Sequence, residues 1–181
     1  SERISAGNMR DRARKLARDN TIAHGLLNRD VDNTTGEGMT LQARTESKEF
    51  NREAEEKFNE WCEYADIRKR HGLGELQRHW DRAMRRDGDV LVVLADRGGK
   101  SRVETILGDL IRSPLQTSTN ILDGIELDRV GRTIAYHVED YDETSQLTRA
   151  RIRASDGLFL ARDILPSGVR GISLFAPAFE L

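Results

Sequence analysis

The hydrophobic period of this chain changes once, at Gly88, and this change restricts the fold class more than any other feature. Upstream of it, apolar residues recur at spacings of three and four, which is typical of amphipathic helices. Downstream, runs rich in valine, leucine and isoleucine are separated by glycine-containing turns, which is typical of antiparallel strands. Because helices and strands occupy separate parts of the chain, we predict an α+β fold of N-terminal amphipathic helices followed by antiparallel β-hairpins.

Two helices are predicted in the first 36 residues. The first lies in "NMRDRARKLARDN", and Asn20 is the expected N-cap of the second. Gly36 is the expected C-terminal stop of that second helix. Its apolar side is predicted from spacing and consists of Ile22, Leu26, Leu27 and Val31.

Two further helices carry the tryptophans. Ser47 is the expected N-cap of "KEFNREAEEKFNEWCEYAD", and Gly88 ends "LGELQRHWDRAMRRDG". Each helix has an apolar stripe that must lie against another element. We expect the stripes to face each other and to hold the helical part together through Phe58, Trp61, Leu76 and Trp80.

Three β-hairpins are predicted after Gly88. The first, "DVLVVLADRGGKSRVETIL", turns at Gly98-Gly99, and the second, "GIELDRVGRTIAYHVED", turns at Gly131. The third, "RARIRASDGLFLARDIL", uses Asp156-Gly157 as its turn. We expect a further helix to begin near the end of the chain, with Gly171 at the bend and Ser173 as N-cap.

Composition excludes several classes of protein. The 29 basic and 31 acidic residues give a net charge of −2, so total charge indicates no particular partner. Cys62 is the only cysteine, which excludes a disulfide within the chain and favours a reducing compartment. No apolar run approaches the roughly 20 residues of a membrane helix, so we expect no membrane partner.

Residue spacing gives no signal for catalysis, a cofactor or a metal. His71 and His79 are eight residues apart, and neither they nor Cys62 match a zinc pattern. The stretch "ADRGGK" lacks the glycine spacing of a phosphate-binding loop and is predicted to be a turn. We therefore predict no enzymatic activity, no catalytic residue, no cofactor and no metal ion.

The basic first helix supports an alternative function. Residues 1–20 hold six basic and three acidic side chains. Such a helix can contact phosphates, so a nucleic-acid-binding regulatory module is the alternative hypothesis. Asp11 and Asp19 interrupt the basic run and no aromatic residue interleaves it, which favours a solvated or partner-facing helix.

Several stretches, taken in order, resemble the lambda-type family of bacteriophage portal proteins. They are "RARKLARDNTIAHGLLNRDVDNTTGEGMTLQAR", "FNEWCEYADIRKRHGLGELQRHWDRAMRRDGDVLVVL", "GIELDRVGRTIAYHV" and "VRGISLFAPAF". Each motif alone is weak, but four in the right order cover nearly the whole chain. Two departures are a bridge of only "PSG" before "VRG" and an end of the chain shortly after "APA", where family members continue.

The resemblance implies a structural role. Portal proteins form a ring, usually of twelve subunits, at one capsid vertex, and double-stranded DNA is packaged and ejected through it without sequence-specific binding. The implied partners are further copies of the chain, the terminase large subunit, capsid proteins and head-completion or tail proteins. The implied location is the virion, after assembly in the bacterial host cytoplasm.

The resemblance also suggests how this chain is organised. We expect an N-terminal, wing-side fragment, truncated before the stem and clip. Its parts would be a helical portion of the wing at 1–88, a β-hairpin-rich portion at 89–170, and the start of a continuing helix at 171–181. Candidate structural or interface residues are Trp61, Trp80, Arg170, Gly171 and Ser173. For Arg170 we expect a salt bridge, either between subunits or stabilising a turn, or else an exposed position.

Overall fold

The structure is a computed structural model that describes residues 6–96, 98–114, 120–141, 146–165 and 168–179. It has four helices and two antiparallel sheets, which confirms the α+β class. The helices are α1 (Ala6–Asp19), α2 (Thr21–Thr35), α3 (Lys48–Glu63) and α4 (Leu73–Asp87). The strands are β1 (Asp89–Asp96), β2 (Ser101–Leu107), β3 (Ile121–Leu122), β4 (Ile125–Leu127), β5 (Thr133–Tyr141), β6 (Leu147–Arg153) and β7 (Gly157–Ala161).

The predicted caps define the helix boundaries. The side chain of Asn20 accepts hydrogen bonds from the backbone N–H groups of Ile22 and Ala23, and Ser47 accepts one from Phe50. These bonds satisfy amide groups that have no partner inside a helix. Gly36 and Gly88 end α2 and α4 with φ angles of 55° and 100°, a region that favours glycine.

The strands form two separate sheets. One has the order β2-β1-β7 and the other has the order β3-β4-β5-β6, with antiparallel pairing throughout. The first two predicted hairpins are present, with positive φ angles at Gly98, Gly99 and Gly131. The third predicted hairpin is wrong, because β7 pairs with β1 of the other sheet instead of with β6. The 3-10 helix Ala154–Asp156 carries the chain between the two sheets.

The β2-β1-β7 sheet lies between helices and the second sheet. Val90 and Val92 on one face pack with Leu76 and Trp80 of α4. On the other face Leu91 packs with residues of the second sheet and of the loop before it, including Ile125, Tyr136, Val138 and Ile111. Successive side chains of β1 point to opposite faces of the sheet, so this strand contributes residues both to the core with α4 and to the core with the second sheet.

A third core joins the N-terminal helices to the end of the chain. Ala13 and Ala17 of α1 and Leu27 and Val31 of α2 surround Phe175. The predicted apolar side of α2 was partly wrong, since Ile22 and Leu26 are exposed and Ala23 is buried instead. The helix is therefore rotated from the predicted orientation, so that its small residue faces α1.

The C-terminal segment differs from the predicted helix. It runs along α4 and the sheet, where Ile172 N–H donates to the Arg162 carbonyl and Leu174 N–H donates to the Arg85 carbonyl. These bonds hold the segment away from helical geometry, and only a 3-10 helix, Ala176–Phe179, follows within the described residues. Residues 180–181, and Pro166 and Ser167 of the "PSG" bridge, lie outside the described part of the chain.

Candidate functional site

The most buried polar site of the described chain joins Arg170 to Asp89. The two residues are 81 positions apart, and their side chains are 6% and 0% exposed. Arg170 Nη2 donates to Asp89 Oδ1 at 2.7 Å and Nε donates to Oδ2 at 2.8 Å. This is a two-point ion pair, in which the planar guanidinium matches the geometry of the carboxylate.

Arg170 also donates to three backbone carbonyls. Nη1 donates to Ile111 at 3.0 Å and to Asp123 at 2.9 Å, and Nη2 donates to Gly108 at 2.5 Å. A guanidinium has five N–H donors, and Arg170 makes five hydrogen bonds within its own chain. Arg170 is therefore neither an exposed arginine nor a free donor for a neighbouring subunit.

Two arginines of α1 extend the network. Arg10 Nη2 lies 3.1 Å from Asp89 Oδ2, and its Nε donates to the Asp87 carbonyl at 3.1 Å. One turn later, Arg14 Nη2 bridges Asp87 at 2.8 Å and Asp109 at 2.7 Å. The spacing of four residues puts both arginines on the same face of α1 as Ala13 and Ala17. The network thus ties α1 to the start of β1.

The charges of the network offset one another only in part, because Arg86 is a fourth arginine that donates to both oxygens of Asp87, at 2.7 and 2.8 Å. Burial would lower the pKa of Arg14, but hydrogen bonds to Asp87 and Asp109 raise it above its ordinary value. Burial would likewise raise the pKa of Asp109, but the hydrogen bond from Arg14 lowers it. Burial lowers the pKa of Arg10. The negative charge of Asp89 opposes this lowering, and the positive charge of Arg170 adds to it. Buried charges of this kind are tolerated only when they are paired.

Two glycines bring the chain segments together. Gly171 N–H donates to Asp89 Oδ2 at 3.0 Å, and Arg162 N–H donates to the Gly88 carbonyl at 2.9 Å. A Cβ on Gly171 would overlap the Gly88 carbonyl, and a Cβ on Gly88 would overlap the Gly171 carbonyl. The sequences "DGDV" and "VRG" therefore dock backbone to backbone, which explains a glycine beside each charged residue.

Ser173 lies in the same segment and is buried. Its Oγ accepts a hydrogen bond from Phe175 N–H at 3.1 Å, and its carbonyl accepts one from Ala176 N–H at 3.0 Å. The side chain thus caps the turn before the 3-10 helix, where an α-helix N-cap was predicted. This turn directs Phe175 into the core between α1 and α2.

The two tryptophans lie on the sheet more than on each other. Trp80 is buried, and its indole N–H donates to Thr105 Oγ1 of β2 at 2.8 Å. Trp61 is half-buried, lies 5.8 Å from the Phe58 ring, and donates to the Ser101 carbonyl at 2.8 Å. Both stripes therefore lie in one core, as expected, but this core also includes β1 and β2, which the prediction did not include.

The sequence prediction missed the acidic half of the network. None of Asp87, Asp89 and Asp109 was singled out from the sequence, although the run from Asp87 to Val90 is buried without a break. The available signal was an aspartate at the start of an apolar strand, in the "DGDV" motif. Arg10 and Arg14 of α1 point inward to carboxylates. These two arginines are therefore neither solvated nor available to phosphates, as the sequence analysis had considered for the helix.

The remaining candidates for chemistry do not converge in the described structure. His71 and His79 form an edge-to-face pair with ring centres 4.7 Å apart. Within the described ranges, no group of three histidine, cysteine or acidic side chains is placed to hold a metal ion. Burial raises the pKa of Cys62, which disfavours a reactive thiolate at this position.

None of the described helices is both long enough and apolar enough to cross a membrane.

These features define an α+β protein whose most buried polar groups fix one part of the chain to another. Comparison with protein families matches residues 2–181 to the lambda family of phage portal proteins. The chain belongs to this family, which confirms the resemblance drawn from its motifs. It is thus a phage portal protein, a structural component of the virion. A search of curated proteins finds no match for the chain.

Proposed function

We propose that this chain forms the wing part of a portal ring, which occupies one capsid vertex and through which double-stranded DNA is packaged and ejected. The observation that carries the proposal is the family match over residues 2–181. The ring would contain about twelve copies, as the family resemblance implies. The protein would join the virion after assembly in the cytoplasm of a bacterial host.

The buried network suits a subunit on which neighbouring subunits exert mechanical force. Arg10, Arg14 and Arg170 connect the first helix, the loop after β2 and the C-terminal segment to the two aspartates that flank Gly88. A network with fixed directional contacts resists sliding between these elements better than apolar packing alone, which is less specific in geometry. We propose that Arg170 and Gly171 act as this internal clamp and that Trp61 and Trp80 hold the helices on the sheet.

The surface charge fits passage of DNA without tight binding. Each phosphate neutralised by lysine or arginine adds to affinity, so a dense basic wall would retard sliding. The chain instead has 29 basic and 31 acidic residues, with many cations paired to carboxylates. In this proposal the protein itself breaks no bond, and the terminase large subunit drives DNA movement. Capsid and head-completion or tail proteins would bind other surfaces of the assembled ring.

Assembly of the full-length gene product tests the proposal. We expect sedimentation velocity to give one large species of defined size and electron microscopy to show annular particles with a central channel. The ring should form without nucleotide, metal or DNA, because its contacts are between protein surfaces. A gene product that stays monomeric at high concentration, or that binds a duplex with sequence selectivity, would contradict the proposal.

A further inference from the structure

A basic groove opens beside the exposed side of α4. It has a volume of about 300 Å³ and lies between α4, the turn at residues 66–71 and the end of β2. Arg68, Arg70 and Arg82 line it, together with His71 and His79. Its floor is apolar and consists of Leu76, Ala83 and Leu107.

Three arginines of this groove, Arg68, Arg70 and Arg82, lack acidic partners in the described chain, whereas Arg86 at its edge pairs with Asp87 at 2.7 Å and His71 lies 3.3 Å from Glu75. Arg68 and Arg70 are exposed, and neither side chain forms an ion pair with any described residue. Arg82 donates to the neutral side chain of Asn28 at 2.6 Å. The groove contains one carboxylate, Asp66, whose oxygens accept the backbone N–H groups of Arg68 and Arg70 at 3.1 and 3.0 Å.

The charged groups that line the groove are mostly basic: four arginines line it, and Asp66 is the one carboxylate among the described lining residues. A positive groove with an apolar floor fits an acidic partner that also offers apolar side chains.

Helix α3 of the same chain has the complementary chemistry. Its exposed face carries a stripe of glutamates at spacings of four, three, four and three, namely Glu49, Glu53, Glu56, Glu60 and Glu63. At 1.5 Å per residue this acidic stripe is about 21 Å long. Phe50 and Tyr64, each 57% exposed, stand at its two ends and supply apolar surface.

The acidic stripe is not neutralised by the basic groove within one chain. Its ion pairs in the described structure, Glu53 with Lys57 and Glu56 with Arg52, lie inside α3 itself. Two complementary faces that do not meet in one molecule can meet between two molecules. Because the faces differ, such a contact is head-to-tail, and it forms a ring when the rotation between neighbours closes.

We propose that the basic groove of one subunit binds the acidic stripe of α3 from a second copy of this chain. The inference rests on the proposed ring and assigns one of its subunit contacts. A second copy fits better than duplex DNA, since a phosphate backbone offers charge but no aromatic side chain for Leu76, Ala83 and Leu107. Phe50 or Tyr64 of the neighbour would cover this floor, and the glutamates would face Arg68 and Arg70.

Charge reversal on each face tests the contact in the full-length gene product. One variant carries Arg68→Glu and Arg70→Glu, and the other carries Glu60→Lys and Glu63→Lys. All four side chains are exposed and outside the ion pairs described above. The matched control, Lys100→Glu with Arg129→Glu, changes the net charge as much as the groove variant, at exposed residues that belong to neither face.

Each reversed variant alone puts like charges in contact, so we expect its self-association to weaken by at least about tenfold. Mixed in equal amounts, the two variants should form alternating rings, because every contact then joins an acidic face to a basic one. An even number of subunits closes such a ring without mismatch. The charge-matched control should assemble like the unmodified protein, and circular dichroism should show that all variants are folded.

The outcomes separate this inference from the proposed ring. If both variants form rings alone, or if mixing them restores nothing, the contact is wrong and the ring proposal stands. If the groove variant loses duplex affinity in a gel shift while it assembles normally, the groove binds nucleic acid and the contact is overturned. If the unmodified gene product forms no ring, both proposals fall together.

Discussion

Arg170 and Asp89 form a two-point ion pair at 2.7 and 2.8 Å that connects the C-terminal segment to the first residue of β1. The pair lies where α4 ends and the sheet begins, and Arg10 reaches the same carboxylate from α1. Three segments that are remote in sequence thus share one aspartate. The stability of the protein should therefore depend on this site more than on any exposed ion pair.

Replacing Arg170 tests that dependence. Arg170→Met leaves Asp89 buried with Arg10 as its remaining cationic partner, and loss of one partner of a buried pair costs about 3–5 kcal/mol. Because Arg10 stays, we expect a value near the lower end in urea unfolding. Arg170→Lys should also destabilise, since lysine cannot reproduce the planar fork. The control Arg153→Met removes an exposed arginine, and equal losses in Arg170→Met and Arg153→Met would refute a special role for the buried pair.

Because Gly88 and Gly171 approach closely, the substitution of glycine by alanine should destabilise the protein at Gly171, whereas it should stabilise the protein at Gly25. Gly171→Ala adds a methyl group where the Gly88 carbonyl already lies, so we expect a loss of at least about 1–3 kcal/mol from overpacking. Gly25→Ala adds the same group inside α2 with no heavy atom within 4 Å, and should stabilise the protein by about 0.5–1 kcal/mol. Thermal melts of both variants check the signs. A neutral Gly171→Ala would show that the two segments do not dock as described.

Local features of this fold could be predicted from sequence, and remote pairings could not. The Asn20 and Ser47 side chains cap their helices by accepting hydrogen bonds from residues two or three positions away. A short stretch of sequence therefore contains everything needed to predict these caps. The Asp156-Gly157 turn signal is equally local and was misleading, because β7 pairs with β1 more than sixty residues upstream. Strand pairing of this kind is decided by the burial of both faces of β1, which no local pattern contains.

The candidate site shows the same limit. Arg170 and Gly171 stood out because a glycine beside an arginine in a family motif is distinctive. Their partner Asp89 did not, because a single aspartate gives no sign of the cation that will meet it. Arg10 resembled a solvated residue of a basic helix for the same reason, although its partner lies 79 residues away.

The two tryptophans should differ in their contribution to stability. Trp80→Ala removes a buried ring and the hydrogen bond to Thr105, and we expect a loss of about 3–5 kcal/mol. Trp61→Ala should cost clearly less, because that ring is only half-buried on an exposed helix. Urea melts of the two variants and the parent protein measure the difference. Coincident melts of Trp80→Ala and the parent would show that the helices do not depend on this contact with the sheet.

The second sheet contains a carboxylate whose titration should be visible in stability. The hydrogen bond from Arg151 lowers the pKa of Glu126 to about 2; burial opposes this shift and a second hydrogen bond, from His137, adds to it. Because the folded pKa lies below the ordinary value of 4.5, the stabilisation is fully present above pH 4.5 and is lost as the pH falls toward 2.

Glu126→Gln should therefore destabilise the protein at pH 7, by about 1 kcal/mol given the exposure of Arg151. The difference from the parent protein should shrink steadily from pH 4.5 downward, and it should vanish only below pH 2, once Glu126 is protonated in the folded protein as well. Urea unfolding at a series of pH values measures both curves, with Glu37→Gln as an exposed control whose carboxylate forms no ion pair with a described residue. A difference that stays constant from pH 7 to pH 2 would mean that Glu126 acts through packing or neutral hydrogen bonds, and the charge of the Glu126–Arg151 pair would then contribute nothing to the sheet.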